Sequence, residues 1–187
     1  MAGSKVPCKN LTSKFTLVIG GARSGKSSFA EGLVMATDRP RRYIATAQAW
    51  DAEMRSRIAQ HRDQRGDGWI TVEAPLGLAG ALADARANEV VLVDCATLWL
   101  SNHLLAEADL EAEAAKLQAA IAECAAPIVV VSNEVGWSIV PDNALARAFR
   151  DAQGRLNQRM AAQAGLVVAV MAGLPIVLKG QLPGTAK

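Results

Sequence analysis

Residues 20–27 read GGARSGKS, and they follow directly on the apolar run FTLVI at residues 15–19. The octapeptide fits the pattern G-x-x-x-x-G-K-[ST] of a phosphate-binding loop. Glycines let such a loop wrap tightly, so that successive backbone N–H groups face phosphate oxygens. The helix expected next, over about 27–35, points its positive end at the same anion. Eight residues are therefore predicted to bind a nucleoside triphosphate: Gly20, Gly21, Ala22, Arg23, Ser24, Gly25, Lys26 and Ser27.

Two side chains of this loop carry chemistry beyond backbone binding. Lys26 adds a full positive charge, and the Ser27 hydroxyl is suited to ligate the magnesium ion that accompanies a nucleotide. The alternative is an ordinary glycine-rich turn between a strand and a helix. The apolar strand before the loop and the helical pattern of Phe29, Leu33 and Val34 after it favour the phosphate loop.

The composition is that of a globular protein. The chain has 187 residues, of which 51% are apolar and 20% charged, and its formal net charge is +2. We expect a flexible polar tail over 1–14 and a single nucleotide-binding α/β domain over 15–187. The small net charge gives no support for nucleic-acid binding.

Cysteine spacing and apolar runs restrict the setting of the protein. Cys8, Cys95 and Cys124 show no C-x-x-C spacing, so neither a zinc site nor a disulfide framework is expected. The amino-terminal sequence lacks the apolar stretch of a signal peptide, and no apolar run is long enough to predict a membrane span. We therefore expect a cytoplasmic protein. Cys95 and His103 both lie in apolar stretches and are expected to pack in or near the core rather than react.

Strand and helix patterns alternate along the chain, which predicts an α/β fold. Strands are indicated over 15–19, 41–46, 69–74, 89–95, 127–133 and 165–173, the last followed by LPIVLK at 174–179. Helical patterns cover 27–35, 51–65, 76–87, 109–125 and 144–164. Strands separated by helices of this length form right-handed βαβ units, so we expect a mostly parallel sheet flanked by helices.

Polar residues lie at the carboxyl ends of several predicted strands: Thr46, Glu73, Asp94 and residues 132–134. Ligands of parallel sheets bind at that edge, so these residues are expected to converge with the loop. Asp94 ends an apolar strand, the expected position for a carboxylate that holds magnesium directly or through water. The alternative for Asp94 is a helix cap or a plain surface acid. The alternative for the segment SNEVG at 132–136 is an ordinary turn.

The helix predicted over 51–65 carries a basic stripe with a histidine in its middle. Arg57, His61 and Arg65 recur at four-residue intervals and share one face, with Arg62 close by. Nearby positive charge disfavours protonation of imidazole, which would keep His61 neutral and nucleophilic, and the arginines could bind triphosphate oxygens. The pattern by itself favours a solvated basic face over such a site.

Several of these segments, in this order, resemble one enzyme family. GGARSGKS at 20–27, RYIATAQAWDAEMRSRIAQHRDQR at 42–65, VLVDCATLWLSN at 91–102 and VVSNEVGWSIVP at 130–141 are similar to segments of the bifunctional adenosylcobinamide kinase / adenosylcobinamide-phosphate guanylyltransferase of cobalamin biosynthesis. The resemblance runs from about Phe15 to Leu178, nearly the whole chain. It implies a P-loop NTPase fold of the RecA-like type, with a mostly parallel sheet and an antiparallel edge strand, in a homotrimer with sites between subunits.

The resemblance implies two reactions. ATP or GTP first phosphorylates the aminopropanol hydroxyl of adenosylcobinamide, with Mg²⁺ as the accompanying ion. GTP then guanylylates a histidine of the enzyme with loss of pyrophosphate, and adenosylcobinamide phosphate takes the GMP to give adenosylcobinamide-GDP. The implied partners are a small-molecule corrinoid substrate and further copies of the chain.

The resemblance also implies residue roles, one position at a time. The loop matches without change, with Lys26 as a catalytic residue and Ser27 and Asp94 at the metal. The guanylylated histidine falls in the basic helix, where His61 is the only histidine; some members carry two adjacent histidines where this chain has Gln60 and His61. A neutral imidazole beside a bound triphosphate suits attack on the α-phosphorus, so the resemblance reverses the preference for a solvated face. Nucleotide contacts are implied at Ala45, Thr46, Ala47, Arg62, Asp63, Gln64, Arg65, Glu73 and Asp94.

Two other functions stay open at this point. A phosphate-loop kinase for another small molecule would act once, without a histidine intermediate. A GTP-binding switch protein is the more distant alternative, because no [NT]-K-x-D guanine motif occurs. The segment DAQG at 151–154 imitates a switch element but lies inside a predicted helix.

Overall fold

The computed structural model describes Leu11, residues 13–48 and residues 67–184. The helix predicted over 51–65 and nearly all of the tail predicted over 1–14 lie outside the described residues, so both stay predictions. The strands are β1 (Phe15–Gly20), β2 (Arg41–Ala45), β3 (Trp69–Glu73), β4 (Val90–Asp94), β5 (Ile128–Asn133), β6 (Leu166–Met171) and β7 (Leu174–Lys179). The helices are α1 (Lys26–Met35), α2 (Leu78–Ala83), α3 (Ala96–Leu105), α4 (Leu110–Glu123) and α5 (Ala144–Gln163).

The described strands form one sheet in the order β3-β2-β4-β5-β1-β6-β7. Neighbours from β3 to β6 pair in parallel, and β7 pairs antiparallel with β6 at the edge. This confirms the predicted mostly parallel sheet with an antiparallel edge strand. The order sets β5 beside β1, so the loop after β1 lies next to the carboxyl end of β5.

Helices cover both faces of the sheet, which explains why the central strands are apolar throughout. On one face, called the α1 face here, α1 packs on alternate strand residues such as Val18, Leu92 and Val131. On the other face, helices α2 to α5 pack on residues such as Leu17 and Val130. Alternation along each strand therefore decides which polar residue at a strand end lies on which face. None of the helices in the described ranges is both long and apolar enough to cross a membrane.

Three elements differ from the prediction. The helix predicted over 76–87 is shorter and covers only Leu78–Ala83. Helix α3 was not predicted, because most of its surface is buried and its sequence, ATLWLSNHLL, shows no polar stripe. The strand predicted over 165–173 ends earlier, at Met171. Ala172 and Gly173 take positive φ angles of 51° and 79° and form the two-residue turn into β7.

A buried ion pair ties β2 to the start of β4. Arg42 Nε donates to Glu89 Oε2 at 2.8 Å, and Arg42 Nη2 donates to Oε1 at 3.2 Å. The two side chains are only 12% and 4% exposed. The hydrogen bond from Arg42 lowers the pKa of Glu89 below its ordinary value, and the same bond raises the pKa of Arg42.

Glu89→Gln is expected to lower the free energy of unfolding at neutral pH by about 3 kcal/mol, because it leaves the Arg42 charge buried without its partner. A carboxyl whose pKa is lowered by folding stabilises the fold above its unfolded pKa, and this stabilisation is lost as pH falls through the folded pKa. Urea unfolding of both proteins should therefore give a stability difference that shrinks below about pH 4.5. As a control, Lys116→Ala breaks an exposed pair with Glu113 and should cost less than about 1 kcal/mol. A difference that does not change with pH would contradict the assigned ion pair.

Candidate active site

The phosphate-loop sequence forms a tight turn between β1, which ends at Gly20, and α1, which begins at Lys26. Gly25 takes a φ of 93° directly before the helix, a conformation that favours glycine. The first turn of α1 has backbone N–H groups without helical acceptors, and these are the groups that bind an anion. Lys26 Nζ donates to Gly21 O at 3.3 Å, so the ammonium group lies over the loop.

The edge hairpin of β6 and β7 braces this loop from the side. Gly173 N–H, in the hairpin turn, donates to Ser24 O at 2.8 Å. A Cβ atom added to Gly25 would lie 3.2 Å from Gly173 Cα, and one added to Gly20 would lie 2.5 Å from Val170 O. Glycine at positions 20 and 25 therefore permits the close approach of loop and hairpin.

Three residues form a row across the neighbouring strand ends. Ala45 pairs in register with Glu73 on one side and with Asp94 on the other. Residues in register in a parallel sheet point to the same face, and alternation along β4 places Asp94 on the α1 face with Leu92. The row therefore shares its face with the first turn of α1, at the edge where ligands of parallel sheets bind.

The Asp94 carboxylate is held through one of its two oxygens by a neighbouring side chain. The Tyr43 hydroxyl donates to Asp94 Oδ2 at 3.2 Å, and the Tyr43 ring packs edge-on against Trp69 at 6.1 Å between ring centroids. The described ranges contain no group of three or more His, Cys, Asp or Glu that could enclose a metal ion. Mg²⁺ fits such a sparse donor set, because it binds one or two protein oxygens and keeps waters and substrate phosphates as its other ligands. Asp94 and the Ser27 hydroxyl are residues that fit this ion.

Thr46 makes structural hydrogen bonds through both its backbone and its side chain. Its Oγ1 accepts from Cys95 N–H at 2.8 Å and donates to Cys95 O at 2.7 Å. Its own N–H donates to Asp94 O at 3.2 Å. Thr46 therefore joins the carboxyl ends of β2 and β4, and the nucleotide contacts at Ala45, Thr46 and Ala47 stay predictions.

Asn102 supports the site, and the sequence analysis missed it. From α3 its Nδ2 donates to Thr46 O at 2.8 Å and to Pro75 O at 2.9 Å. It therefore holds together the segments that follow β2 and β3. A signal was present, because an amide inside an apolar stretch such as TLWLSNHLL needs a buried partner.

Cys95 and His103 pack in the interior, as predicted. Burial, together with the neighbouring Asp94 charge, raises the pKa of the Cys95 thiol to about 12, so the thiol stays protonated at neutral pH. The His103 ring lies against Trp99 at 4.6 Å between ring centroids, and its Nε2 is 3.3 Å from Leu76 O.

A buried polar network lies beneath the end of β5, on the face away from α1. Ser132 Oγ donates to Asn157 Oδ1 at 2.6 Å and accepts from Gln153 Nε2 at 2.9 Å. Thr97 Oγ1 accepts from Asn133 N–H at 2.7 Å, and Asn157 Nδ2 donates to Asn133 O at 3.1 Å. The backbone at the end of β5 is thereby fixed beside the phosphate loop.

One group of predicted residues lies outside the described residues: His61, Arg62, Asp63, Gln64 and Arg65. The nucleophilic role of His61 and the nucleotide contacts of its neighbours therefore stay predictions. The remaining predicted residues lie along the edge of the sheet that carries the loop: Gly20 to Ser27, Ala45, Thr46, Ala47, Glu73 and Asp94.

Comparison with known proteins gives one consistent result for the sequence. Residues 16–178 match the family described as "CobU: Cobinamide kinase / cobinamide phosphate guanyltransferase". The "Bifunctional adenosylcobalamin biosynthesis protein CobP" of Pseudomonas aeruginosa is 45% identical over 168 residues, which cover 88% of this chain and 97% of that protein. The "Bifunctional adenosylcobalamin biosynthesis protein CobU" of Escherichia coli is 42% identical over 179 residues, which cover 87% and 98% respectively.

A solved structure shares the fold at much lower sequence identity. The flagellar accessory protein FlaH from Methanocaldococcus jannaschii matches with a TM-score of 0.52 and 11% identity, covering 94% of this chain and 88% of the FlaH chain. At this identity the similarity concerns the fold alone.

Proposed function

The chain belongs to the cobinamide kinase / cobinamide phosphate guanyltransferase family, and we propose that its two activities share one nucleotide site at residues 20–27. It is a bifunctional kinase and guanylyltransferase of adenosylcobalamin biosynthesis, with a corrinoid as its small-molecule substrate. One observation carries the shared site: Lys26 lies over the loop, on the sheet face that also holds the Asp94 carboxylate.

In the kinase step, the corrinoid hydroxyl attacks the γ-phosphorus of ATP or GTP. The backbone N–H groups of the loop and the Lys26 ammonium bind the triphosphate oxygens and neutralise their growing charge. When bound by Ser27 and Asp94, Mg²⁺ would supply further neutralisation of the β- and γ-oxygens. Phosphoryl transfer depends chiefly on such positioning and neutralisation, which these residues provide.

In the guanylyltransferase step, we assign the nucleophile to His61. A neutral imidazole nitrogen attacks the α-phosphorus of GTP and pyrophosphate leaves; the phosphate of the phosphorylated corrinoid then takes the GMP and frees the histidine. The basic stripe around His61 supports this assignment, since positive charge favours the neutral imidazole and binds the leaving pyrophosphate. The proposed GTP contacts are Ala45, Thr46, Ala47, Arg62, Asp63, Gln64, Arg65, Glu73 and Asp94.

We also propose a homotrimer with sites between subunits, working in the cytoplasm. The edge strand β7 supports an assembly, because all six of its residues are exposed and they include Leu174, Ile176 and Leu178. A row of exposed apolar side chains on the edge strand of a sheet is typical of a surface that another chain covers. The free thiols of Cys95 and Cys124 suit a reducing compartment.

GTP labelled at the α- or the γ-phosphate tests the two-step proposal on the unmodified protein. The γ label should pass to the corrinoid, whereas the α label should first bind the protein covalently and then appear in the corrinoid product. An α-labelled product without a labelled protein would show direct transfer and overturn the histidine intermediate. A protein that transfers the γ label alone is a kinase of the simpler kind, and one that only hydrolyses GTP fits the switch alternative.

Asp94→Glu is expected to retain more of both activities than Asp94→Asn, because the negative charge is what holds the magnesium ion. The Asn variant should lose about 10²-fold in kcat and need a higher Mg²⁺ concentration for half-maximal rate. Rates measured over a series of Mg²⁺ concentrations check this. Tyr43→Phe removes the hydrogen bond to Oδ2 but leaves the carboxylate in place, so it serves as the matched control, with a small expected loss. An unaltered Mg²⁺ dependence in both Asp94 variants would reduce this carboxylate to a structural residue.

A further inference from the structure

Asn133 ends β5 directly beside the phosphate loop. It pairs in register with Gly20, the first residue of the loop. Every second side chain of β5 points to the same face of the sheet, so Asn133 shares its face with Val129 and Val131, which pack on the α1 face. The Asn133 side chain therefore lies on the same face as the Asp94 carboxylate, between the loop strand and the strand that carries that carboxylate.

The described part of the fold holds Asn133 through its backbone. Its N–H donates to Thr97 Oγ1 at 2.7 Å, and its carbonyl accepts from Asn157 Nδ2 at 3.1 Å. Its Oδ1 is buried and has no hydrogen-bond partner within the described part of the chain. A buried acceptor without a hydrogen bond lowers the free energy of unfolding by about 1–3 kcal/mol, so we expect another molecule to supply the partner.

A second polar atom in the same condition lies close by, in the loop itself. Ser24 Oγ is also buried without a partner among the residues described. A Cβ atom added to Gly20 would lie 2.6 Å from Ser24 Oγ. The Ser24 hydroxyl therefore lies against Gly20, the residue that pairs in register with Asn133. Both unsatisfied polar atoms therefore belong to neighbours of Gly20, at the start of the loop where a triphosphate is expected, which indicates that bound substrates supply their partners.

We propose that Asn133 is a further catalytic residue of the kinase reaction, whose amide holds the incoming corrinoid hydroxyl against the γ-phosphoryl group. Oδ1 accepts a hydrogen bond from the hydroxyl, while Nδ2 donates to a γ-phosphoryl oxygen. One planar amide thereby orients both reacting groups, which is how positioning lowers a barrier. The inference rests on the proposed shared nucleotide site at residues 20–27.

The chemical step follows from this placement. The hydroxyl oxygen forms a bond to the γ-phosphorus while the bond from that phosphorus to the β-phosphate oxygen breaks, and a nucleoside diphosphate leaves. The hydroxyl proton passes to solvent, because an amide oxygen accepts a hydrogen bond but is too weak a base to keep the proton. Guanylyl transfer attacks a different phosphorus and uses a phosphate as acceptor, so it does not require this amide.

Asn133→Ala is expected to lower kcat of corrinoid phosphorylation about 10²-fold. Guanylyl transfer to corrinoid that is supplied already phosphorylated should stay near the wild-type rate. The melting temperature should not fall, because the deleted oxygen has no partner in the described residues. Asn133→Asp should lose at least as much kinase activity, since it replaces a donor with a negative charge beside phosphates. Ser132→Ala is the matched control: it breaks the network on the opposite face and should lower the melting temperature.

The outcomes separate this inference from the shared site on which it rests. Wild-type protein that transfers neither label of GTP contradicts the proposed function itself. With an active wild type, a selective kinase loss in Asn133→Ala at unchanged melting temperature supports the proposed role. Unchanged kcat in Asn133→Ala would overturn it, as would a fall in melting temperature with equal loss of both activities.

Discussion

Lys26→Ala is expected to remove most of both activities, with kcat for phosphorylation and for guanylyl transfer each falling by at least about 10²-fold. The ammonium group lies over the loop at 3.3 Å from Gly21 O, so it is held where phosphate oxygens are expected. Each reaction builds negative charge on those oxygens, on the γ-phosphoryl group in one and on the departing pyrophosphate in the other. Alanine removes the positive charge that the phosphate-loop pattern provides for these oxygens.

Steady-state assays of the two half-reactions, run separately, check this expectation. Lys116→Ala is the control, because Lys116 is an exposed lysine paired with Glu113 on α4 and both rates should stay near wild type. Circular dichroism shows whether each variant is folded. If a folded Lys26→Ala protein keeps full kinase activity while losing only guanylyl transfer, the two reactions do not share one phosphate site.

His61→Ala is expected to abolish the GMP–protein adduct and guanylyl transfer while leaving much of the kinase activity. Phosphorylation of the hydroxyl needs the γ-phosphate to be positioned by the loop, and it passes through no covalent intermediate. Guanylyl transfer needs a nucleophile on the α-phosphorus, and alanine offers none. The adduct formed by wild-type protein should be a phosphoramidate, which survives alkali and breaks down in acid.

Incubation with α-labelled GTP, followed by denaturing electrophoresis, measures the adduct directly. His103→Ala is the matched control, because His103 is buried against Trp99 and its loss should leave labelling intact in folded protein. The assignment is wrong if His61→Ala is still labelled, or if His103→Ala is the variant without label. Acid-stable label would instead point to a phosphoester on a hydroxyl such as that of Ser24 or Ser27.

The loop and the parallel sheet could be predicted because each depends on residues close together in the chain. GGARSGKS specifies a turn and the start of a helix, and apolar runs such as VVLV specify buried strands. The position of Asp94 followed from the same logic, since a carboxylate directly after an apolar strand must lie at the sheet edge. Local patterns of this kind are sufficient to predict the fold class and the phosphate-binding part of the site.

The supporting residues could not be predicted, because their partners are distant in sequence. Asn102 bonds to a backbone oxygen 56 residues away at Thr46; the apolar residues around it indicate that its amide needs a buried partner, but not which residue supplies it. The sequence pattern placed Asn133 at the edge of the sheet near the loop, with an ordinary turn as the alternative, and it indicated no role for the side chain. Its unsatisfied oxygen becomes visible only when the strand order sets β5 beside β1 and burial is known.

The brace between the edge hairpin and the phosphate loop has an energetic consequence. Because Gly173 N–H holds Ser24 O within the protein itself, part of the entropy lost on ordering the loop is lost when the chain folds rather than when the nucleotide arrives. Such preorganisation raises affinity without any added contact to the ligand. The coupling is also reciprocal by thermodynamic linkage: a nucleotide that favours the ordered loop must stabilise the hairpin turn by the same free energy. Residues of the edge hairpin therefore contribute to nucleotide affinity by ordering the loop rather than by contacting the phosphates.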